Sequence, residues 1–139
     1  MLALDTDHLT AFGYSSALSR RLKERLAQSG QDVVTTAVNC EEQMKGLPAA
    51  IHRERDAAKQ ITVYSDLVSR IEFLAGFTIL PWDSDSAKLF AQHHRLRVRC
   101  GTMDLKIACI VMAHEATLLT RNTADFAHVP GLKHENWLD

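Results

Sequence analysis

Four short runs of apolar and β-branched residues punctuate the chain at wide intervals: Leu2-Ala3-Leu4, Val33-Val34-Thr35-Thr36, Phe77-Thr78-Ile79-Leu80 and Thr117-Leu118-Leu119-Thr120. Each reads as a strand, the first of them buried, and the spacing between them leaves room for helical crossovers, not hairpins. Strands that alternate with helices predict an α/β sandwich around a central, mostly parallel sheet of four to five strands, the last supplied by the tail from Gly131 to Asp139. The helical stretches carry their own signals. Leu18, Leu22 and Leu26 repeat every four residues among Arg20, Arg21, Lys23, Glu24 and Arg25, and Gly30 follows where a C-cap is expected. Asn39 is placed to cap the helix after the second strand, with Glu41 and Glu42 in its first turn and a stop near Gly46 and Pro48. Ile51 to Phe73 reads as one or two surface helices, and Asp83 or Ser84 opens another through His94. Thr102 caps a helix from about Met103 to His114 that is apolar after Lys106, and so belongs at the centre of the core.

At 139 residues without linker, repeat or low-complexity tract, the chain is expected to form a single domain over 1–139. No apolar run approaches the roughly 18 residues that span a bilayer, so no membrane role is expected. The first residues lack the basic segment of a secretory signal. Three cysteines, Cys40, Cys100 and Cys109, include no CxxC pair and leave one odd, which fits reduced thiols and a cytoplasmic location. A net charge of −1 excludes a protein that grips nucleic acid by bulk electrostatics alone.

In parallel sheets ligands bind beyond the carboxyl ends of the strands. Asp5 follows the first strand, Glu41 and Glu42 follow the second, Asn122 and Asp125 follow the fourth, and Asp104 opens the helix that feeds the fourth. Taken singly, Asp5, Asp83 and Asp104 also suit helix N-termini, where acids oppose the macrodipole, and Asp7 is either a cap or a support for a ligand. Gathered at one sheet edge, such carboxylates raise one another's pKa unless a cation intervenes. Mg²⁺ or Mn²⁺ accepts this oxygen-rich donor set and activates water toward a phosphodiester. No His/Cys set has zinc spacing, and Cys109 reads as a core residue.

The segments Leu4-Asp5-Thr6-Asp7-His8-Leu9, Glu42-Gln43-Met44-Lys45-Gly46, Gly101-Thr102-Met103-Asp104-Leu105-Lys106-Ile107-Ala108 and Leu119-Thr120-Arg121-Asn122-Thr123-Ala124-Asp125-Phe126 together resemble PIN-domain ribonucleases. The closing Val129-Pro130-Gly131-Leu132 and Glu135-Asn136-Trp137 are similar to the tail of the VapC-type toxins within that family. The resemblance runs the length of the chain, in order. It implies a PIN-like α/β/α fold and a Mg²⁺- or Mn²⁺-dependent endoribonuclease, with Asp5, Glu42 and Asp104 as the first three acids. Glu41 competes with Glu42, but the spacing to Gly46 favours Glu42. Asn122 stands where the family often has Asp, Asp125 supplies a charge three residues on, and Asp7 replaces a common Asn. The departure at Asn122 leaves one or two metals open. Thr6, Asp7 and Thr120 are expected to orient the carboxylates, and Arg95, Arg97 and Arg99 to hold RNA phosphates. The toxin resemblance further implies an antitoxin that inserts an Arg or Lys among the acids, and a homodimer, for which Ile51 to Phe73 offers an apolar, aromatic surface. tRNA is the substrate the family suggests.

Two other readings stay open on the residues. Asp5-Thr6-Asp7 also resembles the DxD motif of haloacid-dehalogenase-like phosphatases, with Asp83 and Asp85 as a later acidic motif. A non-catalytic PIN-like domain that binds RNA or protein is the other.

Overall fold

A computed structural model describes residues 1–139. Five strands, β1 (Leu2–Leu4), β2 (Val33–Thr36), β3 (Thr78–Leu80), β4 (Thr117–Leu119) and β5 (His134–Glu135), form one sheet in the order β3-β2-β1-β4-β5, and every pairing is parallel. The helices between them are α1 (Thr6–Gly13), α2 (Ala17–Ser29), α3 (Ala37–Met44), α4 (Leu47–Arg53), α5 (Gln60–Ala75), α6 (Ser84–Arg95), α7 (Thr102–Ala113) and α8 (Thr123–Phe126).

Strand periodicity divides the apolar residues between two cores. Leu2, Leu4 and Leu119 point to one side, where Leu9 of α1, Leu22 and Leu26 of α2 and the tail residue Leu138 cover them. Ala3, Val34 and Leu118 point to the other, against Val38 of α3 and Leu105 and Ile107 to Val111 of α7. Both faces of the central strands are buried, as an all-parallel sheet requires. The apolar run in α7 accordingly lies at the centre: Ile107 through Val111 are fully buried. The sandwich and its parallel sheet thus match the sequence expectation, with β5 as the short edge strand from the tail.

Local chemistry sets the helix boundaries. Ser16 Oγ accepts from the Ser19 N–H to start α2, and Gly30 closes it in the left-handed region at φ +66°. A Cβ at Gly30 would meet nothing within 4 Å, so only backbone strain opposes a side chain there. Gly30→Ala should therefore lower stability by about 1 kcal/mol in chemical denaturation, and a loss above about 2 kcal/mol would mean that more than the left-handed backbone is at stake. Asp83 caps α6 by accepting from the Ser86 N–H at 2.9 Å.

Two boundaries differ from the sequence expectation. Thr36, not Asn39, caps α3: its Oγ1 accepts from the Asn39 N–H at 3.1 Å. The helix thus starts three residues earlier, and Glu41 and Glu42 fall in its second turn. Gly101 occupies the cap position of α7, so Thr102 is already helical. The helix start that Asp5 suited is realised as α1, whose extent the sequence reading did not assign.

The chain leaves β1 toward β2 and β3 on one side and returns through α6 and α7 to β4 on the other. The switch point, where parallel sheets open a crevice, therefore lies between the carboxyl ends of β1 and β4.

Candidate active site

Asp5 ends β1 at this switch point and is 6% exposed. Its Oδ1 accepts from Asn39 Nδ2 at 2.8 Å and its Oδ2 from Thr120 Oγ1 at 2.7 Å. Burial pushes its carboxyl up from the usual range, and these hydrogen bonds, with the Thr6 N–H, offset part of that rise. Thr120 follows β4 and is itself held by the Asn122 N–H, which donates to Thr120 Oγ1 at 3.0 Å. Asn122 then turns its amide toward α7, donating from Nδ2 to Asp104 Oδ2 at 3.3 Å. The end of β1, the end of β4 and the first turn of α7 are in this way tied into one network.

From the other flank, Thr6 Oγ1 donates to Glu42 Oε2 at 2.5 Å, so it is Glu42 that turns toward the cluster while Glu41 is exposed. Asp104 registers the crowding. Burial first, then the charges of Asp5, Glu42, Asp125 and Asp7, push its carboxyl up to about 6. Asp125, exposed on α8, also acts on Cys100, whose thiol burial and then the charges of Asp104 and Asp125 push up to about 11. Asp7 behaves in the opposite way. Burial alone would raise its carboxyl, but hydrogen bonds from His8 and from the Arg121 N–H outweigh this and hold it below the ordinary value.

Hydrogen bonds through Thr6, Asn39 and Thr120 thus link Asp5, Glu42, Asp104 and Asn122 at the carboxyl edge of the sheet, with Asp7 beside them on Thr120 and Arg121, while Asp125 reaches Asp104 only through its charge. Arg95 ends α6, and Arg97 and Arg99 lie in the loop that leads to α7; all three are exposed. Arg97, at φ 53°, lines a hollow of about 340 Å³ with His94, Val98, Cys100, Thr102 and Leu105. Asp83 and Asp85 do not join the acids. They open α6 after β3, which β2 separates from β1, and Asp83 faces His114 Nε2 at 3.3 Å. The DxD phosphatase reading therefore loses its second acidic motif.

The donor set is hard oxygen throughout, which suits Mg²⁺ or Mn²⁺ and not zinc. No group of three acidic, His or Cys side chains stands close enough together to hold a metal ion by itself. What the residues fit is a hydrated ion held by one or two direct carboxylate contacts, the habit of Mg²⁺. The raised carboxyl of Asp104, due to burial and then to the neighbouring acids, marks a place where a bound cation would relieve buried negative charge.

Sequence reasoning missed two members of the network. Asn39 is fully buried and spends its amide on Asp5, and His8, also fully buried, sits behind Asp7. Neither is marked by local pattern, because their partners lie on other elements.

The PIN domain family model matches residues 2–132. Among solved structures, VapBC-1 from nontypeable Haemophilus influenzae aligns at a TM-score of 0.69 and 19% identity, covering 99% of this chain and 98% of that one. FitAcB from Neisseria gonorrhoeae aligns at 0.65 and 21%, over 99% and 98%. A toxin-antitoxin complex from Klebsiella pneumoniae aligns at 0.64 and 22%, over 95% of each. At these identities the likeness establishes the shared fold. No curated protein sequence matches the chain. With a family model that spans nearly its whole length, and the sheet order and acidic edge already described, this chain belongs to the PIN domain family.

Proposed function

We propose that the protein is a divalent-metal-dependent endoribonuclease, the toxin of a type II toxin–antitoxin pair, acting on RNA in the cytoplasm. The observation that carries this reading is the network that ties Asp5 through Thr120 and Asn122 to Asp104, whose carboxyl burial first, and then the charges of Asp5, Glu42, Asp125 and Asp7, push up to about 6. A bound Mg²⁺ or Mn²⁺ would lower the pKa of a water, polarise the phosphoryl oxygen and neutralise the leaving oxygen. Asp5 and Asp104 would hold the ion directly. Glu42 would hold it through water or take the proton of the attacking water. Asn122 and Asp125 would align that water behind the scissile phosphate. Thr6 and Thr120 keep the carboxylates turned inward, and the exposed Arg95, Arg97 and Arg99 would contact backbone phosphates, fixing position without reading sequence.

The likeness to VapBC and other toxin-antitoxin structures supports an antitoxin partner that places an Arg or Lys among the acids, where its charge replaces that of the metal. The face of α5 that exposes Ile61, Tyr64, Val68 and Ile71 supports association with a second copy.

Incubation of the purified chain with a labelled tRNA mixture tests the reading. Cleavage in Mg²⁺ or Mn²⁺ that EDTA abolishes is the expected result. RNA that binds but stays intact at every metal concentration would replace the nuclease with a binding module, and an aspartyl phosphate on Asp5 would reinstate the phosphatase.

A further inference from the structure

His8 is fully buried, one residue beyond Asp7 on α1, and its ring touches two polar groups. Its Nε2 lies 3.2 Å from the backbone nitrogen of Trp137. A backbone N–H only donates, so Nε2 must be the bare, accepting nitrogen, and the ring proton of the neutral imidazole then sits on Nδ1. Nδ1 faces Asp7 Oδ1 at 2.5 Å and donates to it. The other oxygen of Asp7 accepts the Arg121 N–H at 2.9 Å. Arg121 stands between Thr120, which holds Asp5, and Asn122, which holds Asp104. A continuous polar relay therefore runs from the C-terminal segment, through α1, into the loop that assembles the acids.

The far end of the relay is anchored independently of the site. The Arg25 guanidinium of α2 stacks 4.2 Å above the Trp137 ring, the indole N–H donates to Glu135 Oε2 at 2.7 Å, and Leu138 is buried beside Leu2 and Leu4. These contacts fix where the Trp137 amide points, and that amide dictates which nitrogen of His8 carries the proton.

We propose that His8 is a positioning residue for the acidic centre. The Trp137 N–H sets its tautomer, and its Nδ1–H holds Asp7 so that the Arg121 N–H, and with it the loop from Thr120 to Asn122, stays in register with Asp5. The consequence for activity rests on the nuclease reading above; the relay itself does not.

Two substitutions separate the halves of the relay. In His8→Asn the amide nitrogen stands near the place of Nδ1 and still donates to Asp7, but cannot reach Trp137. In His8→Gln the amide oxygen reaches toward the Trp137 N–H, but the donor to Asp7 is lost. In the full chain, without metal or RNA, His8→Gln should speed hydrogen exchange at the Arg121 and Asn122 amides, whereas His8→Asn should keep those protected and free only Trp137. In cleavage assays His8→Gln should lower kcat by about 10- to 100-fold with KM little changed, and His8→Asn should restore most of it. Equal damage from both substitutions, or unchanged Arg121 protection in His8→Gln, would reduce His8 to a packing residue and overturn the proposal. Nitrogen-resolved NMR of the wild-type ring gives an answer that needs no variant: a protonated Nδ1 and a bare Nε2 are expected, and a protonated Nε2 overturns the relay. If the wild type cuts no RNA, the nuclease reading fails, while exchange and tautomer still decide the positioning role.

Discussion

Asp104→Asn should abolish cleavage and at the same time make the metal-free protein more stable. The two effects have one cause. Burial and the charges of Asp5, Glu42, Asp125 and Asp7 push the Asp104 carboxyl up to about 6, so at neutral pH its ionised form is held against its preference. Because this folded pKa is raised, the native state keeps a proton that the unfolded chain releases between about pH 4 and pH 6. Stability therefore falls as pH rises through that window, and the deficit is complete above it. Allowing for the water that still reaches Asp104, the deficit is about 1–2 kcal/mol. An amide removes it, keeps an oxygen for the Asn122 amide, and should raise the melting temperature at pH 7 by about 3–8 °C for a chain of this size. At pH 3.5, where the carboxyl is mostly protonated in both states, most of the gain should vanish. Mg²⁺ should stabilise the wild type and leave the variant unmoved, since binding to the native state alone adds stability. Loss of a direct ligand should cost about 10³-fold in rate, the equivalent of about 4 kcal/mol of transition-state stabilisation. A variant that melts lower at pH 7 without metal would refute the crowding of charge at this site.

Asn39→Ala has the second largest expected effect, and it reaches the site from behind. The Asn39 amide donates to Asp5 Oδ1 at 2.8 Å and to Thr6 Oγ1 at 3.3 Å, and its oxygen accepts from Thr36 Oγ1 at 2.7 Å. Truncation leaves a buried carboxylate short of a donor and a buried hydroxyl without an acceptor, which together should cost about 2–4 kcal/mol in urea denaturation. The Asp5 carboxyl, already raised by burial, should rise further, so cleavage should also need a higher pH to reach its plateau. A loss under about 1 kcal/mol with an unchanged pH profile would make Asn39 a bystander.

The strands were legible because a parallel sheet buried on both faces demands apolar runs, and Leu2 to Leu4 or Val33 to Thr36 admit little else. The convergence of Asp5, Glu42, Asp104, Asn122 and Asp125 followed from topology, since each sits at the carboxyl edge once the sheet is parallel. Asn39 was misread for a physical reason. Thr36 and Asn39 are both good caps, and local sequence does not reveal that the Asn39 amide is wanted by Asp5, 34 residues away. The extent of the short helix α1 was hidden by its polar start, Thr6-Asp7-His8, whose side chains serve the site and not the helix. His8 resembles any core histidine until Trp137, 129 residues later, supplies its partner.

The position of β1 at the middle of the sheet bears on how the molecule comes into being. The Thr120 hydroxyl that holds Asp5, directly after the partner strand β4, stands 115 residues downstream of that acid. Contacts this distant form only after most of the loop entropy has been spent, which makes folding slow and concerted. A chain still emerging from the ribosome has its first acid but neither β4 nor the loop from Thr120 to Asn122 to complete the cluster. The acidic cluster can therefore close only once the segment through Asn122 has been made and β4 has paired beside β1.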